Sequence, residues 1–417
     1  MNQNPFTSST FESIWSKHFN EDKDLESFEF INGVKFVKNS KDGIYINAAR
    51  NLTKGISYEL DYSKSDYKGK TFLLYDVPQY FNIAEFNPPS GSSLKLKKLF
   101  QYQGFLMDIS GFDNQDDYIN AQFSSKNRRE FRSNMRRLEQ CFNIRYEFIH
   151  DGIASKDFDL LFEQFHNLLS KRFAGKQTNY HHLSPKKWNY YKELVFNMLE
   201  EKKSSLLVIY NDETPIGITL NFHAEDVLFE TITVFDPDYY KFSIGKTSII
   251  KLLEWCFENN YRISDFSKGD FEYKHKWSNV AYDFDYHLIY DSKSLSSILK
   301  AKYAEVYFKL KLYLRRKKVN ELYRKYKFML TGGSEASNIS ANQVLKFEKI
   351  EAFDQSSSDY VKISCEDDAT SHLLQFMYTF AFANPEPIDN IKIYRAVTDE
   401  KQYVISGSKK AQKITFA

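Results

Sequence analysis

Leu206-Leu207-Val208-Ile209-Tyr210, Pro215 to Phe222 and Val227 to Phe235 are three short apolar runs separated by turns. The first is closed by Asn211-Asp212-Glu213 and the second by Ala224-Glu225-Asp226. Runs of this length with polar turns between them read as antiparallel strands. A loop from Asp236 to Ser243 follows, then an apolar helix from Gly245 to about Glu258, then a strand near Ile263 to Phe266. Upstream, Phe158, Leu161, Phe162, Phe165, Leu168 and Leu169 recur at helical spacing, and Trp188 to Leu199 predicts a second helix. The order helix, helix, three strands, loop, helix, strand predicts a mixed α+β fold.

Outward from this stretch, residues 1 to about 110 read as mixed α and β. Phe11 to Trp15 opens a short helix, and Phe28 to Val37, Gly43 to Asn47, Thr71 to Tyr75 and Gly104 to Ile109 read as strands. The spacing predicts one long helix over 114–140, carrying five of the six arginines between Arg128 and Arg145. A strand follows from Asn143 to Ile149. Residues 300–327 read as a basic helix, with eleven Lys or Arg against Glu305 and Glu321. Tyr303, Val306, Tyr307, Leu310, Tyr313 and Leu314 give it an apolar face. Two uses fit it: a surface for anionic lipid, nucleic acid or a protein, or a domain-packing helix with a charged outer face. Thr331 to Asn338 is a linker by composition. From about Val344 the order is strand, strand, helix (Thr370 to Phe382), strand, strand.

The 417 residues exceed one ordinary core, and a 42% apolar, 17% aromatic composition is ample for folded domains. The net charge of +2 names no partner. Cys141, Cys256 and Cys365 are few and scattered, which argues against a disulfide framework or zinc site and for a reducing compartment. No run approaches eighteen apolar residues and the N-terminus lacks a signal-peptide pattern, so a cytoplasmic protein is expected. His181-His182 are adjacent and cannot converge on a metal, so no metal site is expected.

Two stretches carry chemistry. Lys241-Phe242-Ser243-Ile244-Gly245-Lys246-Thr247-Ser248 precedes and opens a helix. A helix start with a glycine and hydroxyls suits a pyrophosphate, or is simply capped by Ser243. A Walker A loop needs a glycine where Tyr240 stands. The second stretch, Ser264 to Trp277, concentrates Asp265, Asp270, Glu272, Tyr273, Lys274 and His275 around Gly269. A tyrosine there suits protonation of a leaving thiolate, and a carboxylate suits taking a proton from an attacking amine. The competing reading is a polar turn with Tyr273 and Trp277 packed on the core.

The residues resemble a known family. Asp265-Phe266-Ser267-Lys268-Gly269-Asp270-Phe271-Glu272-Tyr273-Lys274 is similar to the signature D-F-x-[RK]-G-D-x-x-Y-K of a branch of the GNAT superfamily of acyltransferases. That branch is the cellulose-biosynthesis-type acetyltransferases, related to Fem-type peptidyltransferases. Ser124 to Arg132 resembles its S-x-K-x-R-x-x-x-R helix, and Pro5 to Phe11 with Trp15 its opening. The resemblance spans about residues 5–330. One departure stands out: Phe242 precedes Ser243-Ile244-Gly245-Lys246-Thr247, so the Gln or Arg and the final Gly or Ala of the general GNAT loop are both missing.

The resemblance implies tandem GNAT-like domains, each a mixed, mostly antiparallel sheet flanked by helices: a degenerate first domain (1–142) and an acyl-CoA-binding domain (143–330). Outside it, composition and patterning add a linker (331–343) and a small C-terminal α+β appendage (344–417). Ser243, Gly245, Lys246 and Thr247 would hold the CoA pyrophosphate. Asp265, Asp270, Tyr273 and Lys274 would lie at the transfer site. The implied activity moves an acyl group, acetyl first, from acyl-CoA to an amine of an envelope, amino-sugar or lipid-linked acceptor. For such an enzyme, the basic 300–327 helix suits holding it against the inner membrane face or an anionic substrate. Two other readings stand: an aminoacyl-tRNA-dependent Fem-type transferase, and a non-catalytic binding module.

Overall fold

The computed structural model describes all residues except 1–3, 51, 82, 175–180, 318–345, 351–352, 356, 366–369 and 417. The expectations for 318–327 and for the 331–343 linker therefore lie outside the described residues.

The N-terminal part of the chain forms α1 (Ser9–Phe19), β1 (Glu26–Phe28), β2 (Ile31–Lys38), β3 (Tyr45–Asn47), β4 (Glu59–Leu60), β5 (Thr71–Pro78) and β6 (Leu94–Asp108). Then come α2 (Gln115–Gln122) and α3 (Ser125–Cys141). One helix was expected over 114–140; two are found. Ser124 sits in extended backbone and its hydroxyl accepts from the Asn127 amide, so it caps α3 and ends α2.

The next segment forms β7 (Ile144–Ile149), α4 (Ser155–Phe173), α5 (Pro185–Glu200), β8 (Ser204–Asn211), β9 (Thr214–Ala224) and β10 (Val227–Phe235). It continues through α6 (Ile244–Glu258), β11 (Ile263–Lys268), α7 (Glu272–Trp277), β12 (Val280–Asp291) and α8 (Leu295–Arg316). The β8–β9 and β9–β10 turns are two residues long, and Asp212 and Glu225 open them at φ of 50° and 51°. Short polar residues tolerate that left-handed region best in such hairpins.

All these strands join one twelve-stranded sheet in the order β1-β2-β3-β5-β12-β6-β11-β10-β9-β8-β7, with β4 on β2. Only β3–β5 and β10–β11 pair in parallel. The sheet has two halves that meet at β6. β12 follows β11 in sequence yet inserts between β5 and β6, so the chain returns to the first half after completing the second. Strand alternation feeds two cores. Leu206 and Val208 pack under α4 and α5 with Phe162, Phe165 and Leu194. Leu207 and Leu228 face the other way, toward Phe131, Leu252 and Trp277. Each fully buried aromatic or aliphatic side chain contributes roughly 1.5–3 kcal/mol.

The C-terminal module forms β13 (Lys346–Ile350), β14 (Tyr360–Ile363), α9 (Leu374–Ala383), β15 (Lys392–Ala396), β16 (Gln402–Ser406) and β17 (Ala411–Thr415). Its five-stranded sheet runs β13-β17-β16-β15-β14, one strand more than the sequence suggested. The module docks through α9. Tyr378 packs on Tyr239 with ring centroids 4.6 Å apart, and Phe382 packs on Phe242 at 5.2 Å. The Arg137 guanidinium of α3 donates to the Phe382 carbonyl at 2.8 Å.

Candidate active site

β10 and β11 run parallel but share only three register pairs, Val227–Ile263, Leu228–Ser264 and Phe229–Asp265. Beyond them β10 continues to Phe235 on β9 and β11 to Lys268 on β6, without further pairing to each other. Each strand also carries an irregularity at that point, between Glu230 and Ile232 in β10 and between Asp265 and Ser267 in β11. The two strands therefore separate toward their C-terminal ends and leave a crevice in the sheet. α6 follows β10 and runs back along the sheet, so its N-terminus lies at the same end as the opening. Ligands of open sheets commonly bind at such carboxyl ends.

Asp265 marks the point of separation. It is fully buried and accepts hydrogen bonds from Tyr80 Oη at 2.8 Å, Tyr282 Oη at 2.7 Å and the Ser267 amide at 2.6 Å. Burial pushes its pKa up to about 6, against the lowering pull of Tyr282, Ser267 and Tyr80. The amide contact folds the chain back on itself, and Ser267 takes φ of 55° within the strand. Tyr282 reaches Asp265 because Gly104 lies opposite it across the β6–β12 ladder. A Cβ on Gly104 would sit 2.7 Å from the Tyr282 hydroxyl. Glycine is required there for close approach.

Lys274, on α7, folds under the end of β11. Its ammonium donates to the carbonyls of Phe266 at 2.8 Å, Ser267 at 3.3 Å and Lys268 at 2.6 Å. Burial pushes its pKa down to about 8, with Asp265 and Glu230 opposing. Glu230 is buried across the crevice and accepts from Ser264 Oγ at 3.3 Å. Burial lifts its pKa to about 8. Lys54 keeps some exposure as a residue, yet burial of its ammonium, together with Lys268 and Lys274, lowers its pKa to about 7. Asp76 completes the cluster. It holds φ of 61° within β5 and accepts from Thr53 at 2.7 Å, Gln101 at 2.9 Å and Tyr102, with Lys268 at 3.9 Å. A strained, buried acid among several lysines is a pattern of functional sites. The Ser267 hydroxyl is buried there and has no hydrogen-bond partner among the described residues.

The sequence-selected residues divide. Asp265 and Lys274 join this buried cluster. Asp270 and Tyr273 lie on the exposed surface of the turn, where Asp270 pairs with His275 at 2.6 Å. Trp277 is core, stacked on Phe131 with centroids 5.4 Å apart. Tyr80, Tyr282, Lys54, Glu230 and Asp76 were not singled out from the sequence. Each comes from a different strand or loop, and no spacing links them.

At the start of α6, Ser243 takes a left-handed φ of 58° and makes no side-chain cap to the helix. Its hydroxyl instead accepts from the Asn134 side-chain amide at 3.2 Å. Of the two readings of this helix start, the Ser243 cap is not made: the backbone conformation turns the hydroxyl toward α3. Gly245 lies against Phe235, whose ring would be 2.9 Å from a Cβ there. Lys246 pairs with Glu130 at 2.7 Å, and Thr247 is buried. Among the described residues no group of three His, Cys, Asp or Glu is placed to hold a metal, and no helix is long and apolar enough to cross a membrane.

Residues 125–275 match the family of acetyltransferase (GNAT) domains, which is less than half of the chain. That span runs from α3 into α7, including the crevice and the start of α6. No curated protein matches the chain. Among solved structures, L-PGS from Bacillus licheniformis is 14% identical, over 64% of this chain and 84% of that one, with a TM-score of 0.39. FemX is 10% identical, over 67% and 91%, with a TM-score of 0.43. PaiA N-acetyltransferase from Thermoplasma acidophilum, in complex with coenzyme A, is 17% identical over 34% and 98%, with a TM-score of 0.25. Likenesses this distant say nothing of substrate. The GNAT-type domain rests on the family match and the topology.

Proposed function

We propose that the chain is an N-acyltransferase that moves an acyl group, acetyl first, from acyl-CoA to an amine of an envelope, amino-sugar or lipid-linked acceptor. The observation that carries this reading is the separation of β10 from β11 beside an α6 start whose serine does not cap it. The thioester would enter between the strands. The pyrophosphate would lie at the α6 start, against Ser243, Gly245, Lys246 and Thr247, where the helix dipole favours an anion.

The chemistry needs an amine without its extra proton. Asp265 is unsuited to take that proton, because two phenols and an amide already occupy its oxygens. Lys274 is equally committed, with its donors spent on backbone carbonyls. Both position the end of β11. Glu230 and Lys54 are the acid–base candidates, since each titrates near neutral pH beside the crevice. The deprotonated amine nitrogen then attacks the thioester carbon, and the C–N bond forms as the C–S bond breaks. The thiolate leaves and takes up the proton that the nitrogen sheds on becoming an amide, giving amide and free CoA. Unpaired amides along the separated edge of β10 would stabilise the oxyanion, and Ser267 Oγ is a further donor in that wall. Asp270 and Tyr273 line the outer mouth, on the acceptor side.

Isothermal titration with acetyl-CoA and longer acyl-CoAs tests the donor. Binding is expected with a loss of affinity for acetyl-pantetheine, which lacks the pyrophosphate. No heat with any acyl-CoA overturns the reading. Salt-weakened binding of aminoacyl-tRNA in its place would establish the Fem-type alternative.

A further inference from the structure

α8 buries the wrong face for a helix whose purpose is only to pack. Ser297, Ala301, Ala304 and Phe308 face the sheet, and they are mostly small. Its large apolar side chains point to solvent. Leu295 is 71% exposed, Leu299 58%, Tyr303 63%, Val306 65%, Leu310 54% and Tyr313 57%. At 3.6 residues per turn these six fall within a sector of roughly 80°, so they form one straight stripe along the helix. Single exposed apolar residues are ordinary, but a contiguous stripe of six is not.

Charge says what covers it. On one flank of the stripe, by the same helical geometry, lie Lys302, Lys309 and Arg316; on the other lie Lys311 and Lys300, the latter also reaching the Gly43 carbonyl at 3.4 Å. The one acid of α8, Glu305, is neutralised from two sides, by Lys97 at 2.5 Å and Lys309 at 2.6 Å. An apolar stripe bordered by cations on both long edges matches a bilayer surface. The stripe enters the acyl boundary while the lysine and arginine stems lift their charges to the phosphate level. Two tyrosines in the stripe suit that boundary, since each ring has an apolar body and a polar tip. A second copy of this helix would place the same cations opposite one another, which disfavours self-association. A nucleic acid would use the cations but leave the apolar stripe in water.

We infer that α8 is an interfacial helix that lays the protein flat on an anionic lipid surface through Leu295, Leu299, Tyr303, Val306, Leu310 and Tyr313. The inference stands apart from the acyl-transfer reading and would survive its failure. Flotation of the full chain with vesicles tests it, using phosphatidylcholine alone and phosphatidylcholine with phosphatidylglycerol. The chain is expected to float with the anionic vesicles and far less with the neutral ones. Val306→Glu with Leu310→Glu should weaken that binding at least about tenfold while leaving the thermal melt unchanged, because both side chains are already in water. Lys302→Glu with Arg316→Glu should remove the preference for the anionic lipid. No flotation of the parent overturns the inference, as does equal flotation of the Val306/Leu310 variant. So does a parent dimer that this variant dissociates, or tight RNA binding by a parent that does not float.

Discussion

The two ends of the crevice are built on opposite plans. At the β11 end, Asp265 and Lys274 are drawn inward and locked. Asp265 spends its oxygens on Tyr80, Tyr282 and Ser267, and Lys274 spends its protons on three carbonyls. At the α6 end little is locked. Ser243 turns its hydroxyl away from the helix it precedes, and Lys246 is held by Glu130 and the face of the Phe131 ring. One end fixes the shape of the opening and the other leaves a helix start that no side chain caps. Substitutions at the first should therefore register mainly as stability, and at the second mainly as donor affinity.

The largest expected effect is at Asp265. Asp265→Ala leaves two buried phenols and an amide without an acceptor, and about 3–5 kcal/mol of stability should be lost. Denaturant unfolding measures it. A loss below about 1 kcal/mol, the value of an ordinary hydrogen bond, would break the comparison at its stronger end. Gly104→Ala attacks the same frame from the opposite strand by crowding Tyr282, and should cost about 1–3 kcal/mol. The sign of the pH effect follows from the direction of the shift. Asp265 is raised from 3.8 to about 6, so its stabilising share is full below the unfolded value and is lost as pH rises through about 6. Asp265→Asn should flatten the pH dependence in that window.

Next in size are the two groups left free to titrate. Glu230→Gln or Lys54→Met should each cut the transfer rate if the group handles the amine proton, by about 100-fold or more for the true base. The pH profile separates them. A base at Lys54 gives a rate that rises with pH through about 7, and a base at Glu230 gives a rise through about 8. The variant that removes the rise identifies the group. A profile unchanged in both would mean that positioning alone drives the reaction.

How much of this was legible in the sequence differs between the same two ends. The run from β8 to β11 could be read because its strands are joined by two-residue turns, so neighbours in sequence are neighbours in the sheet. The start of α6 could be read for the same reason. The buried cluster could not. Asp265 was visible in its signature, but its partners Tyr80 and Tyr282 lie 185 and 17 residues away on other elements. They meet it only because β12 inserts between β5 and β6. Nothing in residues 280–291 announces that insertion. The break at Ser124 was not read, because helical spacing runs through it and only its hydroxyl's bond to the Asn127 amide reveals the cap. For α8 the apolar face was plain from spacing, whereas its exposure depends on which face the sheet accepts.

The smallest expected effect sharpens the other end. Lys246 is exposed and already shares its charge with Glu130, so it offers a bound pyrophosphate only part of a full cation. Lys246→Ala should leave stability unchanged and raise the KM for acetyl-CoA by about three- to fivefold at low ionic strength, less at high salt. The amides of the helix start do not change with the side chain, so they should retain most of the affinity. A rise of a hundredfold would mean that the lysine, and not the backbone, holds the anion. The α6 end would then be a charged clamp like the Asp265 end, and the contrast between an end that is locked and an end that is open would fail.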